Sequence, residues 1–154
     1  MRTASFCLAA LLAVAGLLPA AAPAGAPNFP ARDFEGGNRV PAWQIALKPA
    51  EAGLVRFRLS SPRGVVIAEG TLKSAAPVIV LPAFGELKGE YGLAGPVTIG
   101  QRLRPMQVLI GPSRKGAPCE DSNGKKYGQA VFIAIGDERD PDTLYYGCGE
   151  YTQP

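Results

Sequence analysis

The chain has 154 residues, 47% of them hydrophobic and 19% charged, with a formal net charge of +3 and no histidine. This length bounds one small domain, and although Gly and Pro together supply 34 residues, the hydrophobic content is too high and the charge too mixed for a disordered protein. Without histidine there is no Ser-His or Cys-His nucleophile pair, no His-ligated zinc and no side chain that ordinarily titrates near neutral pH, so the common hydrolase mechanisms are excluded.

Residues 1–24 read as a secretory signal peptide. Arg2 supplies the positive n-region, Phe6 to Leu18 form an apolar h-region of about 13 residues, and a small-residue stretch runs from Ala20 to Ala26. Cleavage after Ala24 is expected, because cleavage after Ala22 or Ala26 would leave Pro23 or Pro27 at the new terminus. The apolar core is shorter than the roughly 20 residues of a spanning helix. Cys7 leaves with the signal, and no second long apolar run follows. The mature chain is therefore expected in the periplasm or outside the cell, with no membrane span.

Residues 25–41, rich in Pro, Gly and Asn, read as an extended leader onto a single β domain over 42–154. Trp43, Ile45 and Leu47 then alternate with Gln44 and Lys48, and Val55, Phe57 and Leu59 alternate with Arg56, Arg58 and Ser60, the period-2 signature of half-buried strands. Ser61-Pro62-Arg63-Gly64 marks a turn, predicting a hairpin from Leu54 to about Leu72. Val78 to Leu81 is a short strand between prolines, and Phe84 to Lys88 is the only helical candidate, weakened by Gly85. Tyr91 to Leu93 and Val97 to Ile99 are weak strands broken by glycine, whereas Met106 to Ile110, Ala130 to Ile135 and Leu144 to Cys148 are stronger. About eight short strands result, predicting an all-β antiparallel sandwich or small barrel.

After signal removal Cys119 and Cys148 remain, an even pair in an oxidising compartment, which predicts one structural disulfide. Neither belongs to a C-x-x-C redox motif. Residues 25–118 carry 12 Lys and Arg against 6 Asp and Glu, whereas residues 119–154 carry 3 against 7. No sustained basic stripe interleaved with aromatics is present, so nucleic-acid binding is not expected.

Other features each admit two readings. The acidic run from Asp137 to Asp142 is either a solvated turn or a calcium loop, though it lacks the glycine and terminal glutamate of an EF-hand. Glu120 and Asp121 are adjacent, which on a strand turns them to opposite faces and argues against a catalytic acid pair. Gly111 to Gly116 offers amides and two cations to an anion, or is an ordinary turn without P-loop spacing. Trp43 is read as core rather than as a stacking platform. Tyr145, Tyr146 and Tyr151 either pack on the sheet or form an aromatic contact surface. The segment of greatest interest is Asp121-Ser122-Asn123-Gly124-Lys125-Lys126-Tyr127, with Ser122 to Tyr127 as its candidate contact residues. Its Asn-Gly predicts a turn, and its lysines sit on a loop pinned at one end by Cys119. It is either a binding loop or a hairpin with solvating lysines.

Three stretches, Val40-Pro41-Ala42-Trp43-Gln44-Ile45, Pro118-Cys119-Glu120-Asp121 and Tyr146-Gly147-Cys148-Gly149, together resemble a family of small exported bacterial proteins of unassigned function. That family carries a Pro-x-Trp strand, a Cys-x-Asp-Gly segment followed by Tyr, and a C-terminal Gly-Cys. Ser122 replaces the family's glycine here, and Gly128 stands where proline is usual. The resemblance implies an exported β-fold with a disulfide and assigns no activity. Asn123-Gly124-Lys125-Lys126-Tyr127 and the stretch Val131 to Glu138 also resemble the Ser-Gly-x-x-Tyr loop and following strand of periplasmic inhibitors of C-type lysozyme, disulfide-linked β-barrels whose loop enters the lysozyme cleft. That resemblance implies Asn123 and Gly124 at the loop tip, Lys125 or Lys126 facing the acidic cleft, and Tyr127 bracing the loop. Asn123 departs from the family's serine.

These readings converge on an exported non-catalytic binding module of the cell envelope, without cofactor or metal, whose partner is an envelope protein or an incoming lysozyme. The alternative is a structural or assembly component whose sheet edges pair with another envelope protein.

Overall fold

The structure, a computed structural model, describes residues 26–40, 42–82, 84–113, 118–137 and 141–152. The stretch read as a signal peptide, the end of the Gly111 to Gly116 stretch and the middle of the acidic run lie outside the described residues.

Twelve strands account for almost all of the regular structure: β1 (Phe34–Arg39), β2 (Ala42–Pro49), β3 (Leu54–Ser60), β4 (Val66–Ala75), β5 (Val78–Leu81), β6 (Gly85–Lys88), β7 (Tyr91–Ile99), β8 (Arg102–Pro112), β9 (Cys119–Glu120), β10 (Lys126–Tyr127), β11 (Gln129–Gly136) and β12 (Pro141–Tyr151). Eight of them close into an antiparallel barrel in the order β1, β12, β11, β8, β7, β4, β3, β2. Of the two predicted architectures, the barrel is the one formed. Closure removes most of the free strand edges, although β4 and β7 pair only from Lys73↔Ala94 to Ala75↔Gly92.

The alternation read from sequence is the alternation of the barrel wall. Trp43, Ile45 and Leu47 of β2 and Val55, Phe57 and Leu59 of β3 are all buried, and they join Leu72, Val97, Val108, Ile110, Val131 and Ile133 in one interior core. No charged or polar residue among those described is buried. The interior is thus packed with side chains, as in other small barrels.

Chain closure depends on glycine at β12. A Cβ on Gly147 would collide with the Gly37 carbonyl and the Trp43 ring, and one on Gly149 with the Phe34 ring and the Glu35 carbonyl. Close approach of β1 to β12 therefore requires both positions to be bare.

Four expectations need correction. The stretch read as a leader contributes β1, whose ladder spans Phe34↔Tyr151 to Gly37↔Cys148 and Phe34↔Leu47 to Arg39↔Ala42. Its Gly-Gly-Asn run hides the period because Gly36 and Gly37 have no side chain to show it. The helical candidate Phe84 to Lys88 is instead the loop into β6 and β6 itself, whose partner β5 fixes it as a strand from Val78↔Lys88 to Leu81↔Gly85. Tertiary pairing here overrides local propensity. The two weak strands around Gly95 are one, β7, paired with β8 throughout from Tyr91↔Ile110 to Ile99↔Arg102. Gly111 and Pro112, read as turn, close β8, opposite Ala130 and Gln129.

Two hairpins lie against the outside of the barrel. In β5–β6, Ile79, Leu81 and Leu87 pack on the outward-facing Leu109 and Phe132. The other, β9–β10, is tied to β12 by the predicted disulfide, Cys119 to Cys148, with Cα atoms 5.5 Å apart.

Candidate functional site

The candidate binding residues Ser122 to Tyr127 lie together in one hairpin. Ser122 to Tyr127 form the turn and second strand of β9–β10, in which Glu120 lies opposite Lys126 and Cys119 opposite Tyr127. The Gly124 amide donates to the Asp121 carbonyl at 2.9 Å, and the Asp121 amide donates to the Lys125 carbonyl at 3.0 Å. Asp first and Gly fourth is the signature of a type I turn. Its central residues are Ser122 and Asn123, one position earlier than the Asn-Gly centre expected, and Gly124 follows at a φ of 76°.

Asp121 is the reason for that shift. Its Oδ1 accepts the backbone amides of Asn123 at 2.9 Å and Lys125 at 3.0 Å, and its Oδ2 accepts the Tyr127 hydroxyl at 3.2 Å. Arg39 Nε of β1 lies 4.0 Å from the same Oδ2. Burial by itself pushes this carboxyl upward, but the two amides, the Tyr127 hydroxyl and Arg39 together outweigh it and hold the group below the ordinary carboxylate range. Sequence reasoning placed Asp121 at the head of the segment without assigning it this organising role. An Asp three residues before a Gly is the available signal.

Lys125 and Lys126 have different surroundings. Lys125 Nζ donates to Glu150 Oε1 of β12 at 2.8 Å and sits 4.5 Å from the centre of the Tyr127 ring, the distance of a cation–π contact. The bond to Glu150 is the main cause of its raised pKa. Burial first, and then the bond to Asp121, raises the Tyr127 hydroxyl. Lys125 thus fastens the hairpin to the barrel. Lys126 is exposed and makes no ion pair among the described residues, and Ser122, Asn123 and Gly124 are exposed at the tip.

Between this hairpin and the outer face of β1, β2 and β3 runs a groove of about 390 Å³. The barrel side presents Glu35, Gln44, Arg58 and Ser60, and the hairpin side presents Asp121, Lys125 and Tyr127. Arg39, Glu35 and Arg58 lie about 60 or more positions before the hairpin in the chain, so no sequence motif joins them.

The remaining candidates are placed elsewhere. Trp43 is 1% exposed in the interior, with its ring 5.4 Å from that of Tyr145. Tyr151 also packs inward, 5.2 Å from Phe34, whereas Tyr146 stands outside at 60% exposure. The tyrosines therefore do not form a single contact surface. Among known proteins, no family model matches the chain, and no curated protein or solved structure is significantly similar to it.

Proposed function

We propose that the mature chain is an exported, non-catalytic binding protein of the bacterial cell envelope that uses the β9–β10 hairpin as its contact surface, with a C-type lysozyme as its target. The observation that carries this reading is the bracing of the hairpin against β12 and across its own turn. The disulfide ties it to β12, Lys125 ties it to Glu150, and Asp121 ties the turn to Tyr127. A contact loop fixed in advance loses little conformational entropy when it binds. Its tip then offers Ser122, Asn123 and Gly124 with Lys126 alongside, small and polar groups plus one cation for an acidic cleft. Lys126, rather than Lys125, is the residue this arrangement supplies to a partner.

The test is muramidase activity of a C-type lysozyme across a range of concentrations of the oxidised mature protein. Saturable inhibition is expected, and Lys126→Ala should weaken it by about tenfold, the loss of about 1.4 kcal/mol of contact. No inhibition at large molar excess removes lysozyme as the target. Inhibition unchanged by Lys125→Ala and Lys126→Ala together moves the contact surface away from the hairpin.

A further inference from the structure

The groove under the hairpin lies apart from the hairpin tip, since Ser122, Asn123 and Gly124 do not line it. Register places its side chains in two rows across the outer wall. In one row Glu35 of β1 is opposite Ala46 of β2, which is opposite Arg58 of β3; in the next, Gly37 is opposite Gln44, which is opposite Ser60. The space exists because Ala46 and Gly37 fill the outward positions between the longer groups. Strands β1 and β3 are two spacings apart, so Glu35 and Arg58 rise from the wall about 10 Å from each other.

The partners of each charged group define what the groove can bind. Lys125 is occupied by Glu150, and Asp121 by the Asn123 and Lys125 amides, the Tyr127 hydroxyl and Arg39. Arg58 has Glu69 opposite it on β4 and Glu35 has Glu150 opposite it on β12, but neither Arg58 nor Glu35 is within ion-pair distance of a partner among the described residues, and the Gln44 and Ser60 side chains have no hydrogen-bond partner there. One unpaired guanidinium thus faces one unpaired carboxylate across an alanine, with an amide and a hydroxyl in the adjoining row.

We propose that this groove binds the zwitterionic backbone of a short peptide. Arg58 takes the terminal carboxylate through paired N–H donors, the geometry in which guanidinium and carboxylate match best. Glu35 takes the terminal ammonium, while Gln44 and Ser60 hydrogen-bond the amide between them. The volume is within the range of small-molecule sites, and two or three residues span the gap at about 3.5 Å each. A ligand with only one charge leaves either Arg58 or Glu35 unmatched, so both termini are required.

The experiment is titration of the oxidised mature protein with L-alanyl-L-alanine, its C-terminal amide and its N-acetyl form, followed by amide NMR. Saturable shifts at Gln44 and Ser60 are expected for the free dipeptide, with affinity at least about tenfold lower for each blocked form. Arg58→Gln should lower dipeptide affinity by a similar factor and abolish discrimination against the C-terminal amide; Glu35→Gln should do the same for the N-acetyl form. Both residues are on the outer surface, and unchanged Trp43 fluorescence verifies the fold of each variant. No shift at millimolar dipeptide, or equal binding of the blocked forms, overturns the proposal. Lys126→Ala leaves dipeptide binding unchanged, so this result and the lysozyme assay succeed or fail separately.

Discussion

Asp121 concentrates more of the hairpin's order than any neighbouring side chain, since one carboxylate satisfies two turn amides and a tyrosine hydroxyl. Its pKa is depressed, so the stabilisation it lends is present above its ordinary value of 3.8 and is lost as pH falls through the lower folded value. The Asn123 and Lys125 amides should therefore shift together in an acid NMR titration, with a midpoint under 3.8. A midpoint at or above that value rules out the carboxylate as the turn's organiser. Glycines differ in the same residue-by-residue way. Gly147→Ala and Gly149→Ala drive a methyl into backbone and aromatic ring, and each should cost about 2 to 3 kcal/mol in urea unfolding. Gly124→Ala meets nothing closer than Glu120 Oε1 at 3.4 Å and is penalised by its positive φ alone, a cost of about 1 kcal/mol. The Gly-Cys-Gly run was visible in the sequence. Its purpose was not, because the obstructing groups, Gly37, Trp43, Phe34 and Glu35, belong to β1 and β2.

The two external hairpins differ in how they are held. β9–β10 has only two paired positions and depends on the disulfide, which closes a loop 29 positions long. Reduction should lower stability by about 3 to 4 kcal/mol on the chain-entropy account, while exchange protection in the β1 to β12 barrel ladder persists in the reduced folded protein. β5–β6 depends on apolar contact with Leu109 and Phe132. Replacing Leu109 with Ser should expose Ile79 and Leu81 and free that hairpin without opening the barrel, a change detectable as selective loss of amide protection between Val78 and Lys88. Strands with clean alternation, β2 and β3, were legible from their residues alone. β1 and β6 were not, because glycine at the start or centre of each removes the side chains that would display a period, and only the neighbouring strand fixes their conformation.

Across the barrel, one continuous core joins all eight strands, so unfolding should be a single cooperative transition, with Trp43 fluorescence and far-UV dichroism changing together. Tyr151, packed at Phe34, has its hydroxyl raised well above the ordinary value of 10.0, chiefly by burial. Its contribution is complete below 10.0 and is lost as pH climbs through the higher folded value, so denaturant midpoints should fall in alkali, and less so for Tyr151→Phe. The apolar alternation, the turn at Ser61 to Gly64 and the pairing of Cys119 with Cys148 were already legible in the residue order, because each depends on side-chain type at short range or, for the cysteines, on Cys7 falling in the segment read as a signal. Barrel rather than sandwich, the glycine seam at β12, and the meeting of Glu35, Arg39 and Arg58 with the hairpin were decided only on folding. Each of these depends on strand register between segments far apart in the chain, and register is set by closure of the whole wall rather than by any one stretch of it.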